Sequence, residues 1–310
     1  MSTTSAPLRL RLGALAAAVL ATAGCAASSA SSSPAPEPSR PAGSLLIVGG
    51  GPIPDRIVER FVELAGGRGR ARIVLYPMAS EDADAGLELA DDFRKFGAEA
   101  ERIVLDRGQA DTEAAARRLD GVTGIWFGGG DQAKLTAAIG HTRVETAIHE
   151  RYRKGAVVGG TSAGAAVMST PMITGDERKP GGSRPPAKDS SDAFMTIARD
   201  NVVTTDGFAM LPGAIVDQHH VRRRRNNRLL SVVLEHPELV GIGIDESTAL
   251  EVGPDGPWRV LGESVAVVYD ARQAKITPPS AAPLGATGVR IAVLPAGSTY
   301  ELRTGVATLP

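Results

Sequence analysis

From Leu45 onward the chain alternates short apolar runs with amphipathic stretches, and this alternation restricts its fold more than any other feature. Residues 45–48, 73–76, 103–105, 125–127 and 157–158 are short and apolar, as buried strands are. Between them, residues 54–65, 83–96, 112–119 and 132–152 carry helical spacing. A regular β-α alternation predicts an α/β fold of three layers, α/β/α, around a mostly parallel sheet whose ligands sit beyond the carboxyl ends of the strands. The 310 residues, 43% hydrophobic with 36 glycines, suffice for such a core. Residues 240–245 read as another buried strand, and short runs at 258–261, 265–269 and 289–294, parted by Gly and Pro, suggest a C-terminal antiparallel β extension.

The fifth run leads into Gly160-Thr161-Ser162-Ala163-Gly164, a G-x-S-x-G pattern followed by small residues suited to a helix start. On such a bend the hydroxyl is presented and small neighbours leave room for a carbonyl, so Ser162 is a candidate nucleophile. The competing reading is a glycine-rich strand-to-helix turn holding an incidental serine. Two glycine triplets also follow strands. Gly49-Gly50-Gly51 lacks dinucleotide and phosphate-loop spacing and reads as a tight turn. Gly128-Gly129-Gly130-Asp131-Gln132 is either another turn or a bare backbone that aims amides at an oxyanion while Gln132 reaches substrate.

Beyond the serine, Asp176 and Glu177 are candidate acids, against the commoner fate of a solvated loop carboxylate. They precede residues 178–192, a stretch rich in charge, Gly and Pro that reads as a flexible loop near the site entrance. A strand then ends in Asp217-Gln218-His219-His220, followed by Arg222 to Arg225 at the start of a helix running to about Glu235. Cations there oppose the helix dipole, which suggests use as a carboxylate receptor rather than a solvated helix end. On a strand end His219 and His220 face opposite ways, so only one meets Ser162. His141, His149 and His236 have polar neighbours and read as surface residues.

A net charge of -1 gives no global attraction to nucleic acid or anionic lipid. The single cysteine, Cys25, excludes an intramolecular disulfide and a cysteine nucleophile within the domain, and no metal or organic cofactor is expected. Residues 1–24 read as a signal peptide: Arg9 and Arg11 precede an apolar run from 12 to 23 that is short for a membrane span. The run ends at Thr22-Ala23-Gly24-Cys25, similar to a bacterial lipoprotein box with Cys25 as the lipidated residue. Residues 25–44, rich in Ser, Ala and Pro, read as a tether, and 45–310 as one catalytic domain outside the cytoplasm. The alternative is a freely secreted protein cleaved nearby.

The segments Gly128–Gln132, 160–165, 217–219 and 241–246 (Gly-Ile-Gly-Ile-Asp-Glu) together resemble the cyanophycinase branch of the serine peptidases related to dipeptidase E. The resemblance implies a fold like the class I glutamine amidotransferases with serine in place of their cysteine. It implies a triad of Ser162, His219 and an acid, with Glu177 at the acid position and Asp176 as its rival. It also implies that Gln132, Asp217, Gln218, Arg223, Arg225 and Arg228 line a pocket for a β-aspartyl-arginine unit. His220 stands where an aromatic residue is more usual.

The expected reaction has His219 take the Ser162 proton, the serine attack a β-linked aspartyl carbonyl, and amides of Ala163 and of Gly129 or Gly130 hold the oxyanion. Cyanophycin, a poly-aspartate bearing arginine on each side chain, is the expected partner, its carboxylates facing the arginines and its guanidinium facing Asp217. An α-aspartyl dipeptidase and a noncatalytic surface binding protein are the rival functions, and a homodimer is the default assembly. Replacement of Cys25 by Ser is expected to abolish lipid labelling in the native host; membrane retention unaltered by that change would count against the anchor.

Overall fold

The structure, a computed structural model, describes residues 41–178, 193–280 and 283–310. Residues 1–24, Cys25 and most of the 25–44 segment therefore lie outside the described residues, as does 179–192 of the expected entrance loop. The folded chain starts slightly before Leu45, since Ala42 and Gly43 donate to the carbonyls of Arg153 and Tyr152.

The first half follows the predicted alternation: β1 (Leu45–Val48), α1 (Asp55–Leu64), β2 (Arg72–Tyr76), α2 (Leu87–Lys95) and β3 (Glu99–Arg102). The short α3 (Arg107–Ala110) and α4 (Glu113–Arg117) lead to β4 (Gly124–Phe127), α5 (Gln132–Ile139), α6 (Arg143–Arg153), β5 (Val157–Thr161) and α7 (Ala163–Ala166). A hairpin, β6 (Met172–Glu177) and β7 (Val202–Thr205), precedes β8 (Ala214–Gln218), α8 (Asn226–Glu235) and β9 (Val240–Ile244). The remainder is strands: β10 (Thr248–Val252), β11 (Trp258–Gly262), β12 (Val265–Asp270), β13 (Lys275–Ile276), β14 (Ala286–Thr287), β15 (Arg290–Pro295), β16 (Thr299–Glu301) and β17 (Val306–Thr308).

Nine strands form the main sheet in the order β17-β16-β11-β10-β1-β5-β4-β2-β3. Its half from β1 to β3 is parallel, and β10, β11, β16 and β17 extend it antiparallel. The expected extension is thus present, but divided. β12 and β15 belong to a second sheet, β15-β12-β9-β8, in which β8 and β9 run parallel.

Alternation along β1 shows how the main sheet is enclosed. Leu46 and Val48 join α1 and α2 through Ile57, Phe61 and Phe93 in one core, while Leu45 and Ile47 join Leu135, Ile139 and Ile148 of α5 and α6 in another. This second core also takes Val216, Ile242 and Val268, so the smaller sheet packs on the same side. Its far face, Ile215, Val267 and Tyr269, packs against Leu229 and Val232 of α8.

Three local expectations are corrected. The third strand is 99–102 rather than 103–105: β3 is an edge strand with an alternating pattern, and the apolar Ile103 and Leu105 instead turn into the core. The 132–152 helix is two, because Gly140 ends α5 and the Thr142 side chain caps the first turn of α6. Arg222 to Arg224 precede α8 in turns, and Arg225 is its N-cap residue.

The turn after β5 works only because its flanks are bare. A Cβ on Gly160 would lie 2.4 Å from the Gly164 oxygen, and one on Gly164 would lie 2.1 Å from the Phe127 oxygen. Gly164→Ala is therefore expected to cost at least about 1–3 kcal/mol through overpacking, read as a lower urea midpoint; an unchanged midpoint would contradict this packing.

Candidate active site

Ser162 lies between β5 and α7 with φ 54° and ψ -111°, a strained conformation for a residue with a side chain. Its amide donates to the Val48 carbonyl at 3.0 Å. The hydroxyl is 2.8 Å from His219 Nε2, and His219 Nδ1 is 2.7 Å from Glu246 Oε1. The three side chains thus form one hydrogen-bonded row, drawn from the main sheet and from the ends of β8 and β9. Because β8 and β9 are parallel, with Gln218 opposite Ile244, their carboxyl ends deliver His219 and Glu246 side by side.

Glu246 corrects the expectation for the acid. Glu177 sits in β6, on a hairpin outside both larger sheets, buried with its Oε2 unpartnered among the described residues. Asp176 beside it is exposed, and neither is the carboxylate that holds His219. The signal for Glu246 was in the sequence: an apolar strand ending in Asp245-Glu246 after a strand ending in His219. Asp245 has another task, accepting from the amides of Val221 and Arg222 and from the Ser264 hydroxyl, which fixes the turn after His219.

The Gly49–Gly51 turn is part of this site. The Gly49 carbonyl accepts from the His219 amide at 2.7 Å, and the Gly50 carbonyl accepts from the Ser247 amide at 2.9 Å. Gly50, at φ 112°, packs against the imidazole so closely that a Cβ would fall 2.3 Å from His219 Cε1. His219 has its own positive φ of 48°, held by these contacts.

Burial lowers the His219 pKa from its ordinary value of 6.5; the Glu246 hydrogen bond opposes this, and the charges of Arg223 and Arg225 reinforce it. The ring is accordingly neutral at pH 7, as a proton acceptor must be.

Beside the hydroxyl lies a polar cavity of about 100 Å³ whose walls include Gln132, Gln218, Arg223, Arg225 and Arg228. Five of the six expected pocket residues thus line one cavity with Ser162. Asp217 does not. It is buried beneath the wall and grips Arg228, whose Nε donates to Oδ2 at 3.0 Å and whose Nη2 donates to Oδ1. Burial alone would raise the Asp217 pKa; the Arg228 charge, the neighbouring His220 ring, the Arg228 hydrogen bonds and the Arg225 charge outweigh it and hold the carboxyl well below its usual range. The expected guanidinium partner of Asp217 is therefore Arg228 of the same chain. Arg225 Nη1 in turn donates to the Gln218 backbone and side-chain oxygens, and Gln132 Nε2 donates to the Ile173 carbonyl at 2.7 Å.

The Gly128–Gly130 turn faces Ser162, and a Cβ on Gly129 would meet Ser162 Cβ at 3.4 Å. Bonds from Gly128 N to the Tyr76 oxygen and from Asp131 N to the Ala79 oxygen fix the turn at both ends. Among the described residues no group of three or more His, Cys, Asp or Glu is placed to hold a metal ion.

The model of peptidase family S51 matches residues 45–256. The chain belongs to peptidase family S51. It is a serine peptidase. Among its relatives, the cyanophycinase of Synechococcus elongatus is 35% identical over 257 residues, 80% of this chain and 75% of that protein. The cyanophycinase of Trichormus variabilis is 33% identical over 269 residues, covering 84% and 85%. That of Geminocystis herdmanii is 32% identical over 272 residues, covering 84% and 94%. The solved structure of a peptidase from an acI-B1 Actinobacterium shares the fold, with a TM-score of 0.57 at 21% identity over 83% of this chain and 98% of that one.

In an NMR titration of this S51 peptidase, the His219 ring is expected to protonate with a midpoint below 6.5. A midpoint at or above 6.5 would contradict burial as the dominant influence.

Proposed function

We propose that this peptidase hydrolyses cyanophycin to β-Asp-Arg dipeptides through a Ser162-His219-Glu246 triad and an acyl-enzyme. The observation that carries the reading is the hydrogen-bonded row of these three residues beside a wall of arginines. Release of β-Asp-Arg requires that the link from aspartate to arginine survive, so the bond cut is the backbone amide between neighbouring aspartyl residues and not the β link.

His219 Nε2 takes the hydroxyl proton as Ser162 Oγ bonds to the backbone carbonyl carbon. Glu246 holds the ring with Nδ1–H toward itself and stabilises the imidazolium. The oxyanion falls to amides of the Gly129-Gly130 turn and of Ala163, at the start of α7; one such donor supplies about 3 kcal/mol. Collapse breaks the C–N bond, and His219 returns its proton to the leaving amine. Water, deprotonated by His219, then cleaves the ester and restores Ser162.

Substrate preference follows from the wall. Each arginyl branch of the polymer carries a free carboxylate, and guanidinium groups bind carboxylates with paired, charge-assisted hydrogen bonds. Because Asp217 is engaged by Arg228, this cavity reads anions. Action outside the cytoplasm remains part of the proposal and rests on the Arg9 to Cys25 segment of the sequence.

Incubation of the protein with cyanophycin, followed by mass spectrometry of the soluble products, tests the reading. Ser162→Ala is expected to abolish dipeptide release, and Glu246→Gln to lower kcat by about 10⁴-fold, as loss of the carboxylate does in other serine triads. Glu177→Gln is expected to keep most activity. Polymer clearance indifferent to Ser162→Ala would remove serine catalysis, and activity confined to Asp-X dipeptides would favour the narrower enzyme.

A further inference from the structure

A second cavity, of about 210 Å³, opens on the other side of the Gly128–Gly130 turn. Gly130 lines the arginine cavity, whereas Gly128 and Gly129 line this one with Thr161, the neighbour of the nucleophile. The turn is thus a partition one backbone thick, with Ser162 at its foot.

The two cavities have opposite chemistry. Ile53, Leu75, Pro77 and Leu89 give the second apolar walls, and its charged lining group is Glu88. Glu88 stands exposed in the first turn of α2 and has no ion pair among the described residues. The segment leading to it, 81–87, adds Ala85 and Gly86 to the wall and carries Glu81, Asp82 and Asp84. The nearby cations are engaged: Lys134 pairs with Glu81, and Arg102 donates to the carbonyls of Ala83 and Ala85. An apolar slot of this size, with an acid at its rim, suits a long aliphatic side chain that ends in a cation. At about 210 Å³ it is smaller than the roughly 300–1,000 Å³ of pockets for drug-sized ligands, as a subsite for one side chain should be.

Building on the hydrolase reading above, we propose that this cavity is the subsite for an arginyl branch of the substrate. The apolar walls cover its methylene stem, and Glu88 faces its guanidinium. A bound polymer then straddles the glycine partition. One residue presents carboxylates to Arg223, Arg225 and Arg228, its neighbour lays an arginine stem across Gly129, and the amide between them rests over Ser162.

The test uses the full chain with Ser162→Ala, which holds substrate without turnover, and isothermal titration with a short β-Asp-Arg oligomer or with bare oligo-aspartate of equal length. Glu88→Gln in this background is expected to weaken binding of the arginylated oligomer by roughly 1.5- to fivefold, the range of an exposed ion pair. Ala85→Trp, which fills the slot, is expected to weaken it more, and neither change should weaken binding of oligo-aspartate. Unchanged affinity for the arginylated oligomer in both variants, or an equal fall with oligo-aspartate, overturns the subsite. Failure of the parent enzyme to clear cyanophycin would instead overturn the hydrolase reading itself. Clearance by the parent, with both the Glu88→Gln and Ala85→Trp variants binding normally, would overturn only this inference.

Discussion

Three consecutive carbonyls at the end of β1 hold the site together. Val48 O receives the Ser162 amide, Gly49 O the His219 amide and Gly50 O the Ser247 amide next to Glu246. Each bond by itself is modest, about 1 kcal/mol net. Their value is geometric, because the nucleophile grows from the main sheet while the imidazole and carboxylate grow from the smaller one. Without that seam, two sheets joined only through packed side chains would have to align three catalytic groups to within tenths of an ångström. The seam also engages both strained residues: Ser162 and His219, each with a positive φ, are bonded through their amides to its carbonyls.

The recognition wall follows a similar logic of internal support. A buried carboxylate beside a buried guanidinium costs desolvation on both sides, and Asp217 with Arg228 meets that cost with a two-pronged contact. His220 adds a third party, its Nδ1 3.5 Å from Asp217 and its Nε2 3.1 Å from the Tyr269 hydroxyl. The result is a guanidinium whose direction is fixed before any ligand arrives, which lowers the ordering cost of binding. The arginines of the 222–225 run therefore divide in function. Arg225 is folded inward onto Gln218, whereas Arg222 stands in solvent, 4.0 Å from Glu246.

Much of this was legible in the residues. Strand-to-helix spacing with bare flanks marked Ser162, while a strand ending in Asp-Gln-His-His offered two imidazoles, between which the family resemblance rather than the local pattern chose His219. The α/β class followed from five apolar runs and the stretches between them, because burial on both faces of a parallel sheet leaves so regular a trace. The acid was harder. Glu177 and Glu246 each follow an aspartate near the end of a strand, and only the pairing of β8 with β9 decides between them; pairing is a long-range property that local pattern does not carry. The split of the C-terminal strands into two sheets was hidden for the same reason. The role of Asp217 was misjudged because composition reveals a charge but not which neighbour neutralises it, and Arg228 lies eleven residues away across a turn. Gly49–Gly51 was read correctly as a turn, yet its use as a template for the site depends on contacts nearly 200 residues distant in sequence.

The bare face of Gly50 has a wider consequence. With the imidazole lying against its Cα, there is no slack layer between the first strand of the fold and the base of the reaction. Heat or denaturant that loosens the mouth of β1 would part hydroxyl from ring while both sheets keep their cores. Inactivation would then run ahead of melting, and the working lifetime of the molecule would be set by one peptide's worth of backbone.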